Sequence, residues 1–149
     1  MKYFASQDAP RQPEAIQFEL EEWIDNSPFE ELLGMRTERA VEGQALLTMA
    51  FTVKLANGGG VMHGGAMTSL ADTAVAMAIK SLLPPGSTFA TTELSMEFVA
   101  PVLRGQVIAH AQVRGPQGRL FHGECELRGE GDELYARFTS VFKVARDRQ

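Results

Sequence analysis

Cysteine is almost missing from this sequence, whose 149 residues contain only Cys125. A single cysteine excludes an internal disulfide framework and is typical of a protein that works in a reducing compartment. The sequence also has no serine in a G-x-S-x-G context, so nothing indicates the nucleophile elbow of a Ser-His-Asp hydrolase.

Positive charge and long apolar runs are scarce as well. The net charge of −5 at pH 7 repels polyanions and argues against nucleic acid as a partner. The longest apolar-rich stretch, residues 66–83, includes Asp72, Lys80 and several hydroxyl side chains, so it is too polar to span a bilayer. Because the first ten residues also lack the apolar run of a signal peptide, we expect a cytoplasmic protein without a membrane anchor.

What is present is the composition of an ordinary globular domain, with 44% hydrophobic and 22% charged residues. We interpret residues 1–13 as a flexible N-terminal leader and residues 14–149 as a single domain. The helical spacing of apolar side chains over residues 14–25 predicts a short amphipathic helix at the start of that domain.

Breaker residues and periodicity divide the rest of the chain. Ser27-Pro28 predicts the N-terminus of a second short helix, which Gly34 would end. Two strand-like segments flank a predicted turn at Glu42-Gly43. The alanine-rich residues 64–83 predict one long buried helix of about 30 Å. From Ala90 onward, alternation with period two and short turns predicts antiparallel hairpins. The predicted fold class is α+β, with one long central helix wrapped by a five- to six-stranded antiparallel sheet.

The candidate chemistry lies in a glycine-rich loop and in the long helix that follows it. Residues 56–65 include five glycines, a density typical of backbone that takes positive φ or approaches another group closely. Gly64 and Gly65 open the helix, where free amides form a ready site for an oxyanion. Asp72 lies in the middle of this apolar helix, where a carboxylate is costly unless it has a partner or lines a cleft.

Each of these residues also has a structural interpretation that the sequence leaves open. Asp72 could be a core carboxylate satisfied by Thr68, Ser69 or a backbone amide, and the two glycines could simply permit a tight entry into the helix. His63 could donate to a carbonyl group or hold the loop in place. Asn57 could bond the backbone of its own loop.

Taken together, Asn57, His63-Gly64-Gly65 and Asp72 at their mutual spacings resemble the signature of the PaaI-like hotdog-fold acyl-CoA thioesterases. The strand that ends Glu97-Phe98-Val99-Ala100-Pro101 extends the resemblance, which covers residues 28–144 in element order. The resemblance implies a hotdog fold and the hydrolysis of an acyl-CoA or aryl-CoA thioester to free acid and CoA, with no cofactor.

The resemblance also implies roles for the residues of the signature. The backbone amide of Gly64 would polarise the thioester carbonyl, with Asn57 and His63 shaping that pocket and Gly65 contacting the substrate. Asp72 would act as a general base on water or as a nucleophile that forms a transient anhydride.

The threonines at the start of the next strand give conflicting indications. The resemblance assigns to Thr91 the hydroxyl that helps to hold the catalytic water. Alternation with period two instead places Thr92, with Leu94 and Met96, on the side of the strand that faces the helix, where it would contact substrate. A β-bulge would reconcile the two, so both threonines are candidates.

The spacing within the helix predicts a homodimer. Gly64 and Asp72 are eight residues apart, which separates them by about 12 Å along one helix axis. Groups that act on one thioester must both lie within about 3 Å of it. Two antiparallel helices related by a two-fold axis would bring Gly64 of one copy near Asp72 of the other. We therefore expect an obligate homodimer with two composite sites. A dimer of dimers is a separate expectation, and the sequence leaves its packing open.

Other polar clusters support no separate site. We interpret His122, Glu124 and Glu126, with His110 on the preceding strand, as polar surface rather than as a metal site, and Cys125 as a core residue. The phosphates of CoA require local cations, but each basic side chain near a predicted strand end is typical of solvated surface. These side chains are Lys54, Arg104, Arg114, Arg119 and Arg128.

Two rival functions use the same fold. One is a dehydratase or hydratase of 3-hydroxyacyl or enoyl thioesters, which would place its acid differently relative to its histidine than Asp72 lies relative to His63. The other is a non-catalytic acyl-CoA-binding module, which has no reason to bury an ionisable group beside its pocket.

Overall fold

The computed structural model describes residues 1–146 as one long helix packed against one large sheet, with short elements at the N-terminal end. The helices are α1 (Pro28–Leu33), a single 3₁₀ turn (Val53–Leu55) and α2 (Gly64–Lys80). The large sheet comprises β3 (Met35–Val41), β4 (Gln44–Ala50), β5 (Phe89–Phe98), β6 (Gln106–Gln117), β7 (Leu120–Arg128) and β8 (Leu134–Val144). Two further strands, β1 (Lys2–Tyr3) and β2 (Phe18–Glu19), form a separate small sheet.

The α+β architecture predicted from the sequence is confirmed. The six strands run in the order β3-β4-β6-β7-β8-β5, and every neighbouring pair is antiparallel. The helix α2 lies across the concave face of the sheet, and ten of its residues are buried. It approaches β7 so closely that a Cβ at Gly123 would come within 2.3 Å of a Val75 methyl carbon, which is why that strand has no side chain there.

The short helix predicted at Pro28 is confirmed, together with the residues predicted to begin and end it. Ser27 and Glu30 form a capping box, Pro28 occupies the first turn, and Gly34 ends the helix with φ of 75°. The predicted turn at Glu42-Gly43 is also confirmed, since both residues have positive φ between β3 and β4.

The helix predicted over residues 14–25 is wrong. Phe18–Glu19 pair instead with Lys2–Tyr3, so the two sides of the predicted boundary at residue 13 bond to each other. The apolar residues that suggested a helix do not share one buried face, because Ile16 is 77% exposed whereas Ile24 packs against the core. A short helix without tertiary packing is not stable in water. The flexibility of residues 1–13 stays a prediction.

The N-terminal segment nevertheless packs against the end of α2. Trp23 Nε1 donates to the carbonyl oxygen of Lys80, and Lys80 Nζ donates to the carbonyl oxygen of Trp23, both at 3.0 Å. The ammonium group also lies 4.7 Å from the centre of the indole ring. The helix ends at Lys80, earlier than the predicted residue 83, and Ser81 is its C-cap.

One side of the molecule leaves apolar surface uncovered. The strand β5 is an edge of the sheet and has a neighbour only in β8. Its inward face carries Leu94, Met96 and Phe98, and α2 does not cover them fully: Leu94 is 47% exposed and Phe98 is 54% exposed. Long edge strands with exposed apolar side chains are places where another chain can pair.

No helix within residues 1–146 is long and apolar enough to cross a membrane.

Candidate active site

The N-terminus of α2 presents a single free amide in its first turn. His63 is the N-cap, and its Nδ1 accepts a 2.8 Å hydrogen bond from the Gly65 amide. The amides of Ala66 and Met67 donate to the carbonyl oxygen of His63. Among residues 1–146, the Gly64 amide is left without a hydrogen-bond partner, as expected for a group that must bind an external oxygen.

This arrangement leaves one of the two amides predicted to be free, and a substrate contact at Gly65 stays a prediction. Its amide is occupied by the imidazole and is not free for a substrate. Glycine is needed here for a steric reason, since a Cβ at residue 65 would lie 2.9 Å from the His63 Nδ1 atom. His63 therefore stabilises the helix N-terminus, in the tautomer that carries its proton on Nε2.

Asn57 organises the glycine loop. Its side-chain oxygen accepts from the amides of Gly59 and Val61, at 2.9 and 3.3 Å. The backbone of Asn57 closes the same loop through bonds with Gly60 and Val61, and Gly60 takes the positive φ of 83° that such a turn requires. Of the two interpretations of Asn57, the loop role is the one that the contacts support.

Asp72 is not satisfied by the neighbouring hydroxyl groups on its own helix. Thr68 and Ser69 instead donate to the carbonyl oxygens of Gly64 and Gly65, four residues earlier. The carboxylate accepts from Thr91 Oγ1 at 2.8 Å, across the gap between α2 and β5. Asp72 is half-buried, so its carboxylate is not sealed in the core.

A β-bulge determines which of the two threonines, Thr91 or Thr92, faces the helix. The pairing of β5 with β8 shifts between Thr91 and Glu93, so Thr92 is the extra residue. As a result Thr91 faces the helix, and the prediction that Thr92 faces it is wrong. The Thr92 hydroxyl donates to the Val141 carbonyl oxygen at the exposed side of the strand, which gives no support to a substrate contact.

Burial raises the pKa of the Asp72 carboxyl above its ordinary value, and the hydrogen bond from Thr91 opposes part of that rise. A carboxylate with a raised pKa is a stronger base than an exposed aspartate, because its ionised form is less stabilised. Asp72 and Thr91 thus form a pair that could hold and deprotonate a water molecule.

A cavity lies beside the free amide. It has a volume of about 380 Å³ and lies between the glycine loop and the end of β5, with Asn57, Val61, Gly64, Met67 and Phe98 among its lining residues. Phe98 packs directly on Gly64, since a Cβ at residue 64 would lie 3.0 Å from the Phe98 ring carbon Cζ. Phe98 is not among the site residues predicted from the sequence, although its position at the end of a predicted strand, in the segment 97–101, was an available signal.

Within one chain, Asp72 and Thr91 come together but Gly64 does not join them. The helix is continuous from Gly64 to Lys80, so the separation of about 12 Å along its axis holds in the structure. A single thioester carbonyl cannot contact both the Gly64 amide and the Asp72 carboxylate of one chain.

The remaining polar candidates are surface or core residues. Within residues 1–146, no group of three or more His, Cys, Asp or Glu side chains could hold a metal ion. Cys125 is buried, and burial raises the pKa of its thiol, which is the opposite of an activated nucleophile. Arg114 and Arg128 form ion pairs with Glu124 and Glu126 on the outer face of the sheet.

Comparison with known proteins identifies the family of the chain. The model of the thioesterase superfamily matches residues 59–136, just over half of the chain, from the glycine loop to β8. The "Putative esterase" of Halobacterium salinarum is 33% identical over 139 residues, which cover 86% of this chain and 91% of that protein.

Two further similarities concern PaaI of Escherichia coli. The acyl-coenzyme A thioesterase PaaI is 35% identical over 91 residues, covering 60% of this chain and 63% of that protein. The solved structure of the PaaI protein from the phenylacetic acid degradation operon superposes with a TM-score of 0.74 at 29% identity. That superposition covers 81% of this chain and 86% of the other. The chain therefore belongs to the thioesterase superfamily, as a PaaI-like hotdog thioesterase, and is an enzyme that hydrolyses thioesters.

Proposed function

We propose that this protein hydrolyses acyl-CoA thioesters to the free acid and CoA, at two equivalent sites that lie between the subunits of a homodimer. Each site combines the Gly64 amide of one subunit with the Asp72–Thr91 pair of the other. The observation that carries the proposal is the 2.8 Å hydrogen bond between Thr91 and Asp72, because it joins a half-buried carboxylate of an apolar helix to a hydroxyl group and to nothing else within residues 1–146.

The proposed reaction follows from what these groups can do. The Asp72 carboxylate accepts a proton from water, and the resulting hydroxide adds to the thioester carbon. The carbonyl oxygen becomes an oxyanion that accepts from the Gly64 amide. When the intermediate collapses, the C–S bond breaks and the CoA thiolate takes the proton back from Asp72. The direct attack of Asp72 on the thioester is the alternative, and it would form an anhydride that water then hydrolyses.

The supporting residues have indirect roles in this proposal. His63 occupies the Gly65 amide and thereby leaves the Gly64 amide as the one donor of the turn. Asn57 holds the loop that leads into the helix. Thr91 orients the carboxylate, and its hydroxyl oxygen can in turn accept a hydrogen bond from the attacking water.

The dimer is supported by two features of the single chain. The distance between Gly64 and Asp72 requires a second copy for a complete site. In addition, Leu94 is 47% exposed on the inward face of β5, an edge strand that is ten residues long. A second copy packed about a two-fold axis would cover Leu94 and pair with this edge. The dimer of dimers stays a prediction.

Release of the CoA thiol, measured with a thiol reagent over a panel of acyl-CoA substrates, tests the function. We expect hydrolysis by the wild type and a loss of about 10³-fold or more in kcat with Asp72→Asn, which keeps the shape of the side chain but cannot accept a proton. Hydration of enoyl-CoA by a wild type that leaves thioesters intact would identify the hydratase, and binding without either reaction would identify the non-catalytic module.

Gly64→Pro tests the amide itself, because proline has no N–H. Proline is tolerated in the first position of a helix, and His63, with φ of −60° and ψ of 131°, already has the extended backbone that must precede a proline. Gly64→Ala is the matched control, since it adds a Cβ against Phe98 but keeps the N–H. We expect a several-fold loss of kcat for alanine and a loss of about 10²- to 10³-fold for proline. Equal losses for the two variants would contradict the role of the amide.

A further inference from the structure

The ring of Phe98 stands beside the one free amide at the start of α2. An ideal Cβ at Gly64 would lie 3.0 Å from the Phe98 Cζ atom and 3.3 Å from its Cε1 atom. In a helix the Cα–Cβ bonds tilt toward the N-terminus. A ring near this Cβ position therefore lies on the N-terminal side of Gly64, next to the space in front of its N–H.

The backbone holds the ring in this place from two sides. Phe98 is the last residue of β5, and the amides of Val99 and Ala100 both donate to the carbonyl oxygen of Tyr135, at 2.8 and 3.1 Å. On the other side, the Met62 amide donates to the Val102 carbonyl oxygen, which ties the glycine loop to the segment that follows Phe98. The strand end and the helix start thus form one rigid corner.

Phe98 is not a core residue. It is 54% exposed, whereas the large aromatic side chains of β7 and β8 on the same face, Phe121 and Phe138, are fully buried. The ring forms part of the wall of the 380 Å³ cavity beside Gly64, together with Val61 and Met67. The one amide side chain of that wall, Asn57, already uses its oxygen for the loop backbone.

We propose that Phe98 is the specificity-determining residue for the acyl group, and that its ring packs against the carbon next to the thioester carbonyl. This proposal rests on the proposed function. An apolar cavity suits the acyl chain better than the pantetheine arm, because the two amides of pantetheine require hydrogen-bond partners. With the carbonyl oxygen on the Gly64 amide, a ring that lies 3.0 Å from the ideal Cβ position of Gly64 leaves room for a CH₂ group but not for a branched carbon. The favoured substrates are thioesters that are unbranched next to the carbonyl.

The experiment compares kcat/KM for butyryl-CoA and for 2-methylpropanoyl-CoA, which have the same atoms but differ in branching. We expect the wild type to prefer the unbranched substrate by about tenfold or more, the size of effect that one misplaced methyl group produces. Phe98→Ala should reduce that ratio at least about fivefold, mainly by raising the rate with the branched substrate. Phe98→Leu, which keeps an apolar group, should give an intermediate ratio.

The control is Phe29→Ala on α1, since Phe29 is also 54% exposed. It should leave the ratio unchanged within about twofold. If Phe98→Ala lowers both rates equally and keeps the ratio, the ring does not contact the acyl group and the proposal is wrong.

Failure of the proposed function can be told apart from failure of this proposal. Ketone analogues of the two substrates, with a CH₂ group between the carbonyl and the sulfur, bind without being hydrolysed. If the wild type cleaves no thioester but binds the unbranched analogue more tightly by calorimetry, and Phe98→Ala removes that difference, only the hydrolytic function fails. If thioesters are cleaved, and Phe98→Ala changes neither the ratio of kcat/KM values nor the ratio of the analogue affinities, only the role of Phe98 fails.

Discussion

Replacing Thr91 with valine removes the single hydrogen bond of the Asp72 carboxylate while keeping the shape of the side chain. That bond favours the ionised form of Asp72, against the burial that raises its pKa. Without it, the pKa of Asp72 rises further above its ordinary value. Because the proposed base must be ionised, activity on the acid side of the pH profile should be lost at a higher pH than in the wild type.

The size of the effect follows from the strength of the bond. A hydrogen bond to a charged group contributes about 1.5–3 kcal/mol, and about 1.4 kcal/mol corresponds to a factor of ten in an equilibrium constant. Asp72 is half-buried, so water replaces part of what is lost, and the lower end of this range applies. We expect the affinity of Asp72 for a proton to increase by about tenfold in Thr91→Val.

The assay is kcat/KM for thioester hydrolysis as a function of pH. Thr91→Ser should behave like the wild type, since it keeps the hydroxyl group. Thr92→Val is the matched control, because the adjacent hydroxyl bonds to the Val141 carbonyl oxygen and not to Asp72. If activity is lost on the acid side at the same pH in Thr91→Val as in the wild type, or if that pH rises equally in Thr92→Val, the proposed effect of the Thr91 hydrogen bond on Asp72 is wrong.

Three further predictions concern stability and can be checked by thermal unfolding. Asp72→Asn should raise Tm by a few degrees at neutral pH while abolishing activity. The raised pKa of Asp72 means that its ionised form destabilises the folded state. The increase in Tm should therefore be present above the pKa of Asp72 in the folded protein and vanish below the ordinary value of 3.8. His63→Ala should cost about 1 kcal/mol through loss of the helix cap, and His63→Asn, which can cap the same turn, should recover most of it. Trp23→Phe should cost about 1 kcal/mol, because it loses the bond to the Lys80 carbonyl oxygen that ties the N-terminal segment to α2; the protein has one tryptophan, so unfolding is followed by calorimetry.

The parts of the fold that were predictable from the sequence are those in which local chemistry and tertiary packing agree. The capping box at Ser27 and the glycine stop at Gly34 determine α1, and the alternation from Gln106 to Val144 matches the buried face of the sheet. The helix predicted for residues 14–25 is wrong for the opposite reason. Their apolar spacing fits a helix, but the side chains are not buried together: Ile16 is exposed, Ile24 packs against the core, and Phe18–Glu19 pair with Lys2–Tyr3.

The contacts among the candidate site residues could not be derived from the sequence pattern. The pairing of Asp72 with Thr91 depends on one extra residue in β5, and a bulge leaves no mark in a period-two pattern until the partner strand is known. In the same way, the sequence suggested two free amides, but the His63 imidazole occupies the one at Gly65. Phe98 contacts Gly64 only because the end of β5 meets the start of α2, which is a tertiary contact between segments far apart in the chain.

The central claim is that each active site takes Gly64 from one subunit and Asp72 from the other. Mixed dimers of Gly64→Pro and Asp72→Asn, isolated with two different affinity tags, test it directly. Each mixed dimer would contain one site in which both residues are wild type, so we expect about half of the wild-type kcat per dimer although each variant alone is inactive. Mixed dimers as inactive as their parents, or a protein that sediments as a monomer while fully active, would contradict the account.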